Sequence, residues 1–185
     1  LPPLLPDVMQ LGQPALPELA HDCSRCADLC CLAYPFDQGE EFAINKATDH
    51  PCSNLNASGG CQIHANLSKR GFPGCVAYSC AGAGQRITQD LFDGESWRED
   101  PDLLHHMTHA LRVLRPIHEA LLILKEALNI PMPDAERQTC LTLMHALCPE
   151  DATSIWDFEE PEVQDALAQV PTFIPQLAPY VQRAR

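Results

Sequence analysis

A chain of 185 residues with 12 Lys and Arg against 25 Asp and Glu, a formal charge of −13, has no concentrated basic face, which excludes binding through the phosphates of DNA or RNA. No apolar run reaches the roughly 18 residues that a membrane span needs. The opening Leu1, Leu4 and Leu5 are broken by Pro2, Pro3 and Pro6 and lack a basic flank, so they read poorly as a signal peptide and a cytoplasmic protein is expected.

Residues 1–20 carry five prolines and predict an extended arm, with only Pro17 to Ala20 suited to a helical turn. A cysteine-rich module is expected over residues 21–98, punctuated by turns at Asp37 to Gly39, Asn56 to Gly60, Gly71 to Gly74 and Gly82 to Gly84. Inside it, Leu29 to Tyr34 reads as the continuation of a short helix begun at the first cysteines. That would put Cys26 and Cys30 at i and i+4 and aim both sulfurs the same way. Gln62 to Arg70 reads as another short helix, closed by Gly71.

From Pro101 the pattern becomes helical. Leu103, Leu104, Met107, Ala110, Leu111 and Leu114 recur at three- and four-residue spacing, and the stripe resumes at Ile117, Leu121, Leu124 and Leu128. Pro116 either kinks one long helix or divides a pair. A further helix is predicted from Asp134, as N-cap, to about Cys148 before Pro149. Another runs from Pro161 to about Gln169, and a last one is capped by Thr172 and ends near Gln182. The predicted fold is mainly α, an irregular metal-stabilised cysteine module packed on a small helical bundle over residues 101–185.

The cysteines carry the chemistry. Eight of ten lie between Cys23 and Cys80, and Cys23, Cys26, Cys30 and Cys31 form a CxxCxxxCC run. Thiolates are soft, strong ligands, and cysteines beside Gly or Pro, as at Cys52, Cys61 and Cys75, suit backbone that turns tightly around a metal-bound sulfur. The ligand pool is Cys23, Cys26, Cys30, Cys31, Cys52, Cys61, Cys75 and Cys80, enough for two four-coordinate ions or for one iron–sulfur cluster with cysteines to spare. A disulfide framework is the weaker alternative, because scaffolds stapled so densely are usually smaller and lack a long helical half. Arg25, Lys69, Arg70 and Arg86 are the cations near enough in sequence to tune such a site, with a solvated surface role as the plainer reading.

The run Cys23 to Cys31, then Cys52, Cys61 with His64, Cys75 and Cys80, resembles the bacterial CxxCxxCC family of zinc- or iron-chelating domains. The stretch from Phe36 to Arg98, with Phe42 to Lys46 and Gly82 to Gln89, resembles the N-terminal region of certain bacterial pentapeptide-repeat proteins. The likeness covers roughly residues 20–98. It implies a metal held by cysteines, and it extends to members joined to flagellin lysine methylases whose cysteines hold an iron–sulfur cluster. Two departures stand out. Three residues, Ala27 to Leu29, separate Cys26 from Cys30 where the family has two, and no pentapeptide array follows.

Other candidates have plainer readings. His64 follows Cys61 at ligand spacing but, like His21 and His50, reads first as a surface histidine. His105 and His109 share a helical face, with Asp102 as a third ligand for zinc or copper, against a polar face that happens to hold histidines. Cys140 and Cys148 read as buried small hydrophobes, Trp97 and Trp156 as packing anchors. No nucleotide loop or base-activated nucleophile is present. The expected function is a structural zinc protein whose helical half recognises a partner protein. The alternatives are an iron–sulfur protein with a redox or enzymatic role, and a thiol switch at Cys30 and Cys31 or at Cys75 and Cys80.

Overall fold

A computed structural model describes residues 11–183; the expectations for residues 1–10, the first half of the arm, lie outside them. The fold is mainly α-helical. Among the described residues there is no β-sheet, only isolated bridges pairing Phe36 with Lys46 and Leu55 with Cys61. No described helix is long and apolar enough to cross a membrane.

The central element is α4, Leu103–Ala127, which runs through Pro116 as one helix. Its Met107, Leu111, Leu114, Ile117, Leu121 and Leu124 are fully buried, because α4 is covered along its length on the stripe that the sequence marks. Against it pack α5, Asp134–Leu147, and α6, Pro161–Phe173. The chain ends in a 3₁₀ turn over Ile174–Leu177 and α7, Ala178–Arg183. The predicted cap at Thr172 is not formed. Its hydroxyl donates back to the Gln169 carbonyl, and α6 continues through Pro171 to Phe173.

The N-terminal half shares this core. The short helices there are α1, Leu29–Ala33, α2, Pro73–Ala77, and α3, Ala83–Arg86, which widens into a π-helical turn over Ile87–Leu91. Leu29, Ala33, Ala83 and Ile87 join the α4 residues in one apolar cluster. The segment 62–70 is not one α-helix. It forms two 3₁₀ turns, His64–Asn66 and Ser68–Arg70, too short to gain from α-helical propagation, ended as expected by Gly71 at φ +83°. Residues 11–20 have no helical turn; they pass over α5, where the Leu11 amide donates to Gln138 and the His145 ring meets the Gly12 carbonyl.

Trp97 anchors as expected, its Nε1 donating to the Ala27 carbonyl at 2.7 Å. Trp156 does not. The 3₁₀ turn Ile155–Phe158, held by a Ser154–Asp157 capping box, turns Ile155 and Phe158 inward and leaves Trp156 63% exposed, tilted over His109.

His118 on α4 is fully buried, its Nδ1 donating to the Ala81 carbonyl at 2.7 Å and its Nε2 accepting from Arg86 at 3.1 Å. Burial, helped by the Arg86 charge and opposed by the Ala81 hydrogen bond, lowers its pKa to about 4. Because the folded state binds the proton less tightly than the unfolded chain does, stability is full above the ordinary histidine pKa and falls as pH drops from about 6.5 toward 4. The total loss is roughly 3 kcal/mol. Urea unfolding of metal-free protein over that range, compared with His118→Gln, checks it: the variant's curve should be flatter by that amount.

Candidate metal centre

The eight clustered cysteines are brought together by turns and short helices more than by regular structure. Cys23 sits in a 3₁₀ turn capped by Asp22, whose carboxylate accepts from the Ser24 amide. Cys26 and Cys30 do not share a helical turn. Between them Asp28 takes a left-handed conformation at φ +57°, so α1 starts afresh at Leu29. The three-residue spacer has a use: the Asp28 carboxylate accepts from the Gly60 amide at 3.0 Å and pairs with Arg98 at 2.9 Å, tying the first cysteine run to the loop before Cys61.

The opposite wall is formed by Cys80, Gly84 and Gln85, from the segment Cys80 to Leu91. Gln85 accepts from the Asp22 amide and donates to the Ala20 carbonyl; Thr88 accepts from the Ala27 amide; Gln89 donates to the Arg25 carbonyl. These side chains clamp the Cys23–Cys26 loop onto α3. Farther along, the Cys52 amide donates to the Cys31 carbonyl at 3.0 Å, and the Leu55–Cys61 bridge closes the next loop.

All eight sulfur-bearing residues line one cavity of about 310 Å³, with Tyr34 and Tyr78 also on its wall. The thiols of Cys30 and Cys31 lie 4.0 Å apart. All ten cysteines are free thiols. Among the described residues, no three or more His, Cys, Asp or Glu side chains already stand at metal-holding separation, so ligation requires the cysteines to turn inward.

The electrostatics resist bare thiolates. Burial pushes Cys26 up to about 12 and Cys75 up to about 11, with the charges of Cys31, Cys52 and Cys61 also opposing ionisation of Cys75. In the Cys30–Cys31 pair the shared hydrogen bond favours the charge on Cys31, which Lys46 and Arg98 also stabilise, and raises Cys30. A divalent cation removes this obstacle by replacing protons, so the donor set fits a soft metal ion bound with proton release.

The plainer surface reading holds for three of the four cations near the cysteines in sequence, and the cavity has other cations beside it. Arg25 is half exposed and pairs with Glu18 at 3.1 Å; Lys69 and Arg70 are exposed; Arg86 is turned to His118 and the Phe158 ring. Lys46 instead is buried and donates to the carbonyls of Leu32, Tyr34 and Ala47, placing a positive charge at the C-terminal end of α1 beside Cys31. Arg115 lies over both Tyr34 and Tyr78.

His64 and His21 line the cavity but are exposed, and His50 turns to the Thr48 carbonyl. His105 and His109 part company: His109 meets Glu159 at 3.1 Å, while His105 is largely exposed and lies 3.8 Å from Asp49. Asp102 completes no site with them. Cys140 and Cys148 are buried in the helical core, and burial raises both to about 11.

The buried Tyr78 hydroxyl makes no hydrogen bond of ordinary length, though the Tyr34 hydroxyl lies close enough to interact with it, and a thiolate acceptor in the cavity would complete its bonding. Tyr78→Phe is therefore expected to act in opposite directions. It should stabilise metal-free protein by about 1 kcal/mol and should weaken metal retention, read as faster loss of metal to a competing chelator. Equal effects on both forms would count against a hydrogen bond to the centre.

The chain is 40% identical over 113 residues, 61% of its length, to YybG, an uncharacterized protein of Bacillus subtilis (strain 168). The match spans two fifths (40%) of YybG, so only part of that protein corresponds to this chain. No family model matches the chain. No solved structure matches it either.

Proposed function

We propose that this protein binds metal through cysteine thiolates, with zinc as the first candidate and the metal serving to hold the N-terminal half together. The observation that carries the reading is the convergence of eight cysteines, gathered from across 58 residues of chain, on a single cavity. Residues 21–98 then act as a metal-stabilised module, of the kind found in the CxxCxxCC family, on the helices of residues 101–185. Gly84 supports a close-packed centre there: a Cβ at that position would lie 2.7 Å from the Cys26 sulfur and 3.7 Å from that of Cys80.

A metal in this cavity supplies the positive charge that neutralises clustered thiolates. The chain's own residues do the rest. Lys46 and Arg98 place charge beside Cys31, Asp28 fixes the loop before Cys61, and Gln85 and Thr88 hold the Cys23–Cys26 loop in place. A role as an interaction module is supported by Trp156, the most exposed of the large apolar side chains on the described surface, as a contact for a protein partner.

The test is elemental analysis with a visible spectrum on protein purified without oxygen or an affinity-metal column. Stoichiometric zinc and a featureless visible region support the reading. Iron with sulfide and charge-transfer absorption replaces zinc with a cluster and puts redox chemistry first. Metal-free protein of full stability overturns it. A thiol switch at Cys30 and Cys31 is the weaker reading, because adjacent Cα atoms lie about 3.8 Å apart, short of the usual disulfide span, and both residues lie within α1.

A further inference from the structure

We infer that the cavity holds two metal ions, one bound by Cys23, Cys26, Cys30 and Cys80 and the other by Cys31, Cys52, Cys61 and Cys75, so that the vicinal pair is divided between them. The division rests on the metal-binding reading above and goes beyond it by assigning each cysteine to an ion.

Geometry separates the two sets. At one end, Cys26 and Cys80 converge on the space over Gly84, and the Cys23 turn is held against α3 through Asp22 and Gln85. At the other end, the Cys52 amide bonds to the Cys31 carbonyl, the Gln62 amide to the Asn54 carbonyl, and the Leu55–Cys61 bridge draws Cys61 onto the loop that carries Cys52. Proximity follows most of the same line: Cys75 lies within range of Cys31, Cys52 and Cys61, and Cys26 within range of Cys80 and Cys23, while Cys23 also lies within range of Cys31.

Cys30 and Cys31 stand between the ends. Successive residues on a helix diverge by about 100° around its axis, at 3.6 residues per turn, so although the two sulfurs lie 4.0 Å apart each can turn toward a different end of the cavity. The environments differ as well. Tyr78 lies near Cys30 and Cys80, while Lys46 lies near Cys52 and Cys31 and Arg98 near Cys31. Two divalent ions with eight thiolates leave about four negative charges, and a four-thiolate zinc-type ion has no open position, which makes both sites structural.

The experiment loads the intact chain with cadmium under argon, counts ions by native mass spectrometry and records cadmium NMR. Two ions per chain and two resonances of equal intensity, both in the region for four sulfur ligands, are expected. Cys30→Ser and Cys80→Ser should perturb the same resonance, and Cys31→Ser and Cys75→Ser the other. One ion per chain, or loss of the same resonance in Cys30→Ser and Cys31→Ser, overturns the division and leaves thiolate metal binding intact. An intact chain that retains no cadmium on gel filtration overturns both. The count on the intact protein decides even where a variant fails to fold.

Discussion

Replacing Cys30 and Cys31 together with Ser is expected to strip the protein of most of its metal and lower its melting temperature by about 10–20 °C, the equivalent of roughly 5 kcal/mol for a chain of this size. The magnitude follows from linkage: ligands gathered from distant turns form no site in the unfolded chain, so metal-binding free energy appears as folding free energy. On the proposed two-ion division the double change removes one ligand from each ion, and serine oxygen is a poor substitute for thiolate toward a soft ion. The fall should be largest in the N-terminal half and should reach α4, because Leu29, Ala33, Ala83 and Ile87 pack in the same apolar cluster as its buried stripe. Differential scanning calorimetry checks this beside wild-type protein treated with chelator, which should melt close to the variant. Full metal content and an unchanged melting temperature in the variant would sink the metal reading.

What could be read in advance was what depends on local pattern. The α4 stripe from Met107 to Leu124 was legible because burial at three- and four-residue spacing needs no knowledge of the partner surface. The left-handed Gly71 was legible because only the backbone decides it. That the eight cysteines gather around one cavity was legible from their clustering in the chain. Their arrangement was not. Nothing in the spacing of Cys26 and Cys30 shows that Asp28 breaks the helix between them; that conformation is held by Gly60 and Arg98, 32 and 70 residues away. Lys46 was missed for the same reason, because its partners are the carbonyls at the end of a different element. Trp156 was misread because aromatic size predicts burial on average, while the capping box at Ser154 decides which residues of that turn face in.

The polar run Gln85, Arg86, Thr88 and Gln89 contained a usable signal. Three of the four are largely withdrawn from water, and buried polar residues in a helix are there to bond something. Here Gln85 and Thr88 bond the backbone of residues 20–27, and Arg86 bonds His118, which in turn holds the Ala81 carbonyl. The segment is a positioning element for the first cysteines and Cys80.

Two glycines in that segment should separate folding from metal binding. Gly82 has φ +82°, and a Cβ there would overlap the backbone carbonyl oxygen of Glu18, which cannot turn away as a side chain can. Gly82→Ala should destabilise the protein with or without metal, by about 2–4 kcal/mol from left-handed strain and displacement of the arm. Gly84 is different. It lies within α3, where alanine gains up to about 1 kcal/mol in helix propensity, and the atom its Cβ would meet is the Cys26 sulfur at 2.7 Å. With no metal that thiol can rotate aside, so Gly84→Ala should leave metal-free stability unchanged or slightly raised. With metal the sulfur is fixed, and the same methyl must displace a ligand. The expected result is a protein that folds, unfolds in urea near the wild-type midpoint when metal-free, and loses metal to chelator at least ten times faster. Equal losses in metal-free and metal-loaded Gly84→Ala would place Cys26 outside the centre, because only a sulfur held by an ion lacks the freedom to move.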